Sequence, residues 1–207
     1  MTPPSDDRRA LTKGQRTRQR LLRAAVTRFG EQGYRRTSVS QLSRDAGLTP
    51  AAAYAYFADK ETIWAAAIEA DLDAIEREVR QRALESARPL FELMSGVFTQ
   101  LERHPLTRRV MAEGSHADLQ LVLDHHLFAG TTEIVAEALV ARRAAGHLAG
   151  DADPLVMAKG LETLIFAMML SSVRAGMAED RDRIQAAFEL LRAALGGSPT
   201  RNEVPVE

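Results

Sequence analysis

The chain has 207 residues, 45% hydrophobic and 27% charged, with no cysteine and a formal net charge of −1. That composition suits a folded soluble protein with a core of its own; it excludes disulfides and thiolate metal sites and fits a reducing cytoplasm. The mean charge conceals a division, because residues 1–66 hold 12 Lys+Arg against 6 Asp+Glu and residues 67–207 hold 15 against 22.

A basic front on an acidic body is the pattern of a nucleic-acid-facing head, although simple surface scatter gives it too. The opening "MTPPSDDRRALTKGQR" has no apolar core, so no secretory signal is expected. No stretch alternates long enough for a strand, and helical spacing recurs throughout. Leu21, Leu22, Ala25, Val26 and Phe29 stripe a helix expected from Lys13 to Gln32, with Gly33 to stop it. Val39, Leu42 and Ala46 stripe a short helix over 38–46, and Ser38 with Gln41 has the spacing of a capping box. Gly47 supplies a turn, Thr49 an N-cap and Pro50 a first helical position, so a third helix begins there. Asp59 can cap a fourth, long helix from Lys60 to Ser86.

Proline opens most of the later helices. They are expected at 89–103, 107–114, 117–145, 154–175 and 180–195, with Gly146 and Gly196-Gly197 as stops and 198–207 as a disordered tail. The fold class is therefore all-α with about nine helices, divided into a head at 1–59 and a body at 60–197. The most apolar stretch, "LIFAMMLSSV" at 164–173, is half of the roughly twenty residues a membrane span needs, so it reads as a buried helix and no membrane partner is expected.

Helix, glycine turn and helix over 38–57 is the layout of a helix-turn-helix, whose second helix enters the major groove of DNA. The segment "AGLTPAAAYAYFADK" at 46–60 then makes chemical sense. Thr49, Pro50, Ala51 and Ala52 are small enough for the backbone to approach base edges, and an alanine methyl can touch a thymine methyl. The hydroxyls of Tyr54 and Tyr56 would reach phosphate, one ring tucking partly into the core because residues two apart diverge by about 200°. Lys60 with the first amides of the fourth helix would make an anion site. Phe57 and Trp64 are core candidates. The basic lead-in Arg8, Arg9, Lys13, Arg16, Arg18 and Arg20 is either a further set of phosphate contacts or a solvated arm.

Thr37-Ser38-Val39, Ala46-Gly47, Tyr54-Ala55-Tyr56-Phe57 and Lys60, within Thr17–Glu69, resemble the N-terminal domain of TetR/AcrR-like transcriptional regulators. The resemblance covers about a quarter of the chain. It implies base contacts from Ser40, Pro50, Ala51 and Ala52, and phosphate contacts from Ser38, Thr49, Tyr54, Tyr56 and Lys60. Ala51-Ala52 departs from the Gly-Thr or Gly-Ser often found there, which shifts selectivity toward apolar contact or DNA shape. The resemblance also implies a homodimer in which the last two helices pair across a two-fold axis.

Leu161, Leu164, Ile165 and Met169 on one apolar helix, and Phe188, Leu191 and Leu195 on the next, are the candidate dimer face; the other use for these stripes is the intrachain core. Phe91, Met94, Phe98, Met111, Leu123, Leu127, Phe128 and Met168 could line a pocket for an apolar or amphipathic effector, or simply fill the core. His125 and His126, placed side by side on one continuous helix, would point about 100° apart and could not easily share an ion, so no metal site is expected. The chain has no Gly-rich phosphate loop, G-x-S-x-G or H-E-x-x-H, so neither a cofactor nor catalysis is expected. The expected function is a homodimeric repressor on an inverted-repeat DNA operator, released by a small-molecule effector. An effector-independent architectural DNA binder is the rival, and an all-α enzyme a more remote one.

Overall fold

The computed structural model describes residues 12–86, 89–146, 151–175 and 181–194, and among them it contains ten helices and no strand. Helix α1 (Lys13–Arg36) starts in a capping box, Thr12 accepting the Gln15 amide while the Gln15 side chain takes the Thr12 amide. It buries Leu21, Leu22, Ala25 and Phe29 on one stripe and breaks its helical geometry at Gly33, where φ is +78°. Helix α2 (Val39–Asp45) has the Ser38–Gln41 box. Gly47, at φ +63°, turns the chain into α3 (Pro50–Tyr54), which Thr49 caps. These three helices close on Leu21, Leu42, Ala53 and Phe57.

Helix α4 (Lys60–Glu85) begins at Asp59, whose Oδ1 takes the Thr62 amide at 2.7 Å. It belongs to head and body together. Its first turns pack on α1, and its later turns carry Leu72, Ile75 and Val79 into a core shared with α5 (Pro89–Gln100) and α6 (Pro105–Glu113). Gly96 permits the α4–α5 crossing, since a Cβ there would stand 3.1 Å from Val79 Cγ1. Gly30 does the same between α1 and α6, with a virtual Cβ 3.0 Å from the Leu106 amide.

The expected helix over 117–145 is two helices, α7 (His116–Asp124) and α8 (His126–Ala144), which makes ten rather than nine. His125 is extended at ψ 141°, and its ring caps α8 by accepting the Leu127 amide through Nδ1 at 3.1 Å. Apolar periodicity runs through the junction and so conceals it. Helix α9 (Pro154–Arg174) lies along α8, and α10 (Arg181–Ala194) follows. Val135, Leu139, Ala158, Leu161 and Ile165 form a second, smaller core between α8 and α9.

The apolar run at 164–173 extends further than its densest ten residues. Among the described residues α9 alone is long and apolar enough to cross a bilayer, with a mean hydropathy of 1.5 over a window of which 28% is buried. It is two-faced: Ala158, Leu161, Ile165, Met169 and Ser172 point inward, whereas Val156 and Leu164 are 66% and 53% exposed.

Candidate functional site

Placement in the head follows from which residues must fill its core. Ala53 is fully buried between α2 and α3, so its smallness serves close packing. Pro50 and Ala51 face solvent and Ala52 is half-buried, which leaves the start of α3 low and uncovered. Ser38, Ser40 and Thr49 are exposed beside it. Thr49 accepts the Ala52 amide at 3.2 Å, which leaves its hydroxyl hydrogen available to an outside acceptor. Tyr54 is 53% exposed, while Tyr56 is half-buried against the head core.

Lys60 departs from the simple anion site. Its ammonium lies 4.0 Å from the centre of the Tyr34 ring, and burial lowers its pKa below the usual lysine value. Asp59 already takes the Thr62 amide and hydroxyl, and Glu61 follows in the first turn. The amides at this helix start are thus partly satisfied by their own chain, and a phosphate would meet the lysine rather than an open N-terminus. Phe57 is buried as expected, and Trp64 is half-buried against the same core.

Arg18 lies over the Phe57 ring at 4.8 Å, and Arg28 forks onto Asp45, tying α1 to α2. That pairing holds the Asp45 carboxyl below its usual pKa. Lys13 and Arg20 are exposed; Arg8 and Arg9 lie outside the described residues. Helix α3, the turn before it and the basic side chains of α1 therefore make one surface of small and hydroxyl-bearing groups with cations around it.

Residues 21–67 match the model of the bacterial regulatory proteins of the tetR family. The head of the chain is thus similar to the N-terminal domain of the TetR family. It is 31% identical over 81 residues to the HTH-type transcriptional regulator HbdR of Aromatoleum sp. (strain CIB), 39% of this chain and 35% of that protein. It is 41% identical over 54 residues to the uncharacterized HTH-type transcriptional regulator YdgC of Bacillus subtilis (strain 168), 26% of this chain and 28% of that protein. The match thus spans about a third of the length of these curated relatives.

Solved structures extend the likeness to the whole fold. FadR from Bacillus subtilis, in complex with stearoyl-CoA, aligns at a TM-score of 0.63 with 19% identity, covering 85% of this chain and 98% of that one. The triclosan complex of SmeT, the repressor of a Stenotrophomonas maltophilia multidrug efflux pump, aligns at 0.64 with 21% identity, covering 93% and 100%. The TetR-type head and an all-helical body are therefore one known architecture.

In the body, the void between α5, α8 and α9 is lined by Leu93, Val97, Leu127, Phe128, Val135 and Leu161 among others, and it measures about 20 Å³. That is room for about one water. Two of the expected pocket residues, Leu127 and Phe128, line it. Met111 is fully buried in the main core instead. Phe91 and Phe98 stand edge-on to Phe188 at 5.9 and 5.8 Å, Met168 is half-buried against the second core and Leu123 is 36% exposed. The Met94 side chain lies outside the described residues.

Polar groups at this interior were not singled out in sequence. The Thr132 hydroxyl donates to Glu162 Oε2 beside the void. Gln100 is fully buried with neither end of its amide hydrogen-bonded among the described residues, and the Ser172 hydroxyl is in the same state. Isolated Gln, Ser and Glu letters in apolar helices give no signal of this kind until the packing is known.

The expected dimer residues divide. Leu161, Ile165 and Met169 are buried in their own chain, so they cannot form the outer face proposed for them from periodicity. Leu164 is on that outer face. Phe188 is half-buried by Phe91 and Phe98; the Leu191 side chain and Leu195 lie outside the described residues. Val156 and Gly160, two turns and one turn before Leu164, share its face, and Leu190 on α10 is 71% exposed. An i, i+4 reading of 156, 160 and 164 could have found this stripe.

The histidine geometry also differs from expectation. Because the chain leaves the helix at His125, the rings of His125 and His126 lie side by side with centroids 4.1 Å apart and planes tilted by 32°. Both turn toward Asp73 on α4. The divergence expected of neighbours on one helix does not apply across a break.

Polar struts tie the head to the body and the body helices to one another. Arg109 on α6 donates to the carbonyls of Gly30 and Glu31 at 3.0 and 3.1 Å, just before the break of α1 at Gly33. Asp71, buried on α4, accepts the Thr107 amide and hydroxyl at 2.9 and 2.6 Å and contacts His104 Nδ1 at 2.8 Å. Trp64 Nε1 reaches Asp118 on α7 at 2.6 Å, and Arg174 on α9 holds the carbonyls of Met111 and Gly114. Any shift of α6 is thereby felt by α1 and α4 together.

Proposed function

We propose that the protein is a DNA-binding transcriptional regulator that acts as a homodimeric repressor, with the head in the major groove and the body as dimer and effector domain. The observation that carries this reading is the uncovered start of α3: Pro50 and Ala51 exposed behind an N-cap whose hydroxyl is free to donate. Ser40, Pro50, Ala51 and Ala52 are assigned to base edges. Ser38, Thr49, Tyr54, Tyr56 and Lys60 are assigned to phosphate, with Lys60 reaching it from above the Tyr34 ring. Residues 1–59 serve as the head and 60–197 as the body.

Two heads reading successive major grooves need a two-fold partner, and the exposed face of α9 at Val156, Gly160 and Leu164 is a fitting surface for it. FadR in complex with stearoyl-CoA and SmeT in complex with triclosan show apolar or amphipathic molecules bound by proteins of this fold. An effector here would have to displace Leu127 and Phe128, and Thr132 and Glu162, which line the void, offer polar anchors once it opens. Its differential affinity for the open state, about 1–3 kcal/mol of coupling, would reach the head through the Arg109 and Asp71 struts.

The closed interior, about 20 Å³, favours a second reading in which the protein binds DNA without an effector. Genomic fragments selected with the purified chain supply the operator, and compounds are then screened for release of the complex. Binding that persists unchanged in Tyr54→Ala and Lys60→Ala would count against the assigned interface. Failure of every apolar or amphipathic compound to release DNA would favour the effector-independent reading.

A further inference from the structure

We infer that Asp73, His125 and His126 form a binding site for a divalent transition-metal ion, best matched to Zn²⁺, with the Glu76 carboxylate beside it. The site is independent of the DNA interface and stands or falls without it. Two elements build it. Helix α4 presents Asp73 and Glu76 three residues apart on one face, and the α7–α8 break brings both histidines over that face.

The distances separate an ion site from an ordinary ion pair. His125 Nε2 and His126 Nε2 lie 3.4 and 3.5 Å from the same atom, Asp73 Oδ1. These separations exceed a good N–H···O hydrogen bond, about 2.7–3.2 Å. They match the edge of a tetrahedron with metal–ligand bonds of about 2.0–2.1 Å, which is about 3.4 Å. One donor atom from each of Asp73, His125 and His126 falls within 4.8 Å of the others. Glu76 Oε2 is 2.5 Å from His126 Nε2, and Arg80 Nε holds the other oxygen of the same carboxylate at 2.7 Å.

Charge and ligand type fit the same class of ion. Two imidazoles with one carboxylate oxygen make a borderline set that suits Zn²⁺ over Mg²⁺ or Ca²⁺ and leaves a fourth position open, and Glu76 adds a second negative charge beside the dication. A metal on His126 Nε2 displaces the contact of that atom with Glu76, whose carboxylate Arg80 holds from behind. His125 and Glu76 are buried and His126 faces solvent, so the site has a rigid floor and an open approach.

Binding would also act on the fold. His125 Nδ1 accepts the Leu127 amide, so the neutral ring has its proton on Nε2. Ligation through Nε2 moves that proton to Nδ1, and the Leu127 cap bond opens. Leu127 and Phe128 line the interior void, so the ion is coupled to the wall of the body cavity.

The test uses the tag-free full chain, freed of metal with a chelator and titrated with Zn²⁺ against a chromophoric competitor, then with Co²⁺ as a spectroscopic probe. One Zn²⁺ per chain is expected, with the intense visible absorption of tetrahedral Co²⁺ and no response to Mg²⁺. His126→Ala and Asp73→Asn should each weaken Zn²⁺ binding by about tenfold or more, whereas His116→Ala should not. Both weakening variants alter exposed or half-exposed side chains, and metal-free melting equal to wild type verifies that they fold. Absence of saturable Zn²⁺ binding by the wild-type chain overturns the proposal, as does binding that both variants leave intact.

Discussion

The head and the body are made from the same kinds of helix, yet they hold their chemistry differently. In the head, the surface assigned to DNA comes from one continuous stretch, Ser38 to Lys60, and each exposed residue is positioned by a neighbour within a few places: Gln41 for Ser38, Ala52 for Thr49. In the body, the polar contacts that join one helix to another link residues far apart in sequence, as with Asp71 and Thr107, Thr132 and Glu162, or Asp73 and His126. Local hydrogen bonds make a site whose shape travels with its segment. Long-range ones make a site that exists only while the helices stay docked, which is what a body that transmits a signal requires.

The largest effect that would sharpen this contrast lies in the head core. Leu42→Ala removes a fully buried side chain between α2 and its neighbours and should cost about 2–5 kcal/mol, read as a lower melting temperature together with lost DNA binding. Asp71→Asn should cost about 1–3 kcal/mol by weakening the bonds to Thr107 and His104. Because it sits between head and body, it should also alter any effector response; an unchanged melting temperature would show that the strut is not carrying the α4–α6 contact.

Ala51→Glu should reduce operator affinity by about tenfold or more, roughly 1.4 kcal/mol, while melting stays as in wild type, because Ala51 is exposed and touches no core. Equal affinity in a fluorescence anisotropy titration would remove α3 from the interface. Lys60→Ala should lower affinity less, and it should reduce the slope of log K against log salt by about one. A slope unchanged by Lys60→Ala would reassign that lysine to packing on Tyr34.

The smallest effect is a pH dependence. Burial, with the neighbouring His126 adding to it, pushes the His125 ring below its ordinary pKa of 6.5. The unfolded chain therefore takes up a proton before the folded one, and stability present above that value is lost as pH falls through it. Melting temperatures measured at about pH 7.5 and about pH 5.5 should differ more in wild type than in His125→Gln.

Some of this was legible in the residues and some was not. The all-α class, the turn at Gly47, the Asp59 cap and the division of Tyr54 from Tyr56 follow from periodicity and capping, which act over four residues or fewer. The α7–α8 break did not, because the apolar pattern passes over His125 without interruption and a histidine seldom marks a helix start. The outward and inward faces of α9 were confused for a related reason. Helix α9 carries apolar stripes on more than one side, and periodicity alone does not say which of them meets its own chain, so Leu161 and Ile165 looked as available as Leu164.

Sequence by itself therefore determined the turn at Gly47 and the short segment after it that is bare of large side chains, since both depend on contacts within a turn of helix. Tertiary structure alone decided that Ala53 is core while Ala51 is surface, that the body cavity is closed, and that two histidines share one carboxylate. Those outcomes depend on which helices face one another. The free energy that settles them is burial summed over many distant side chains, and no local pattern encodes it.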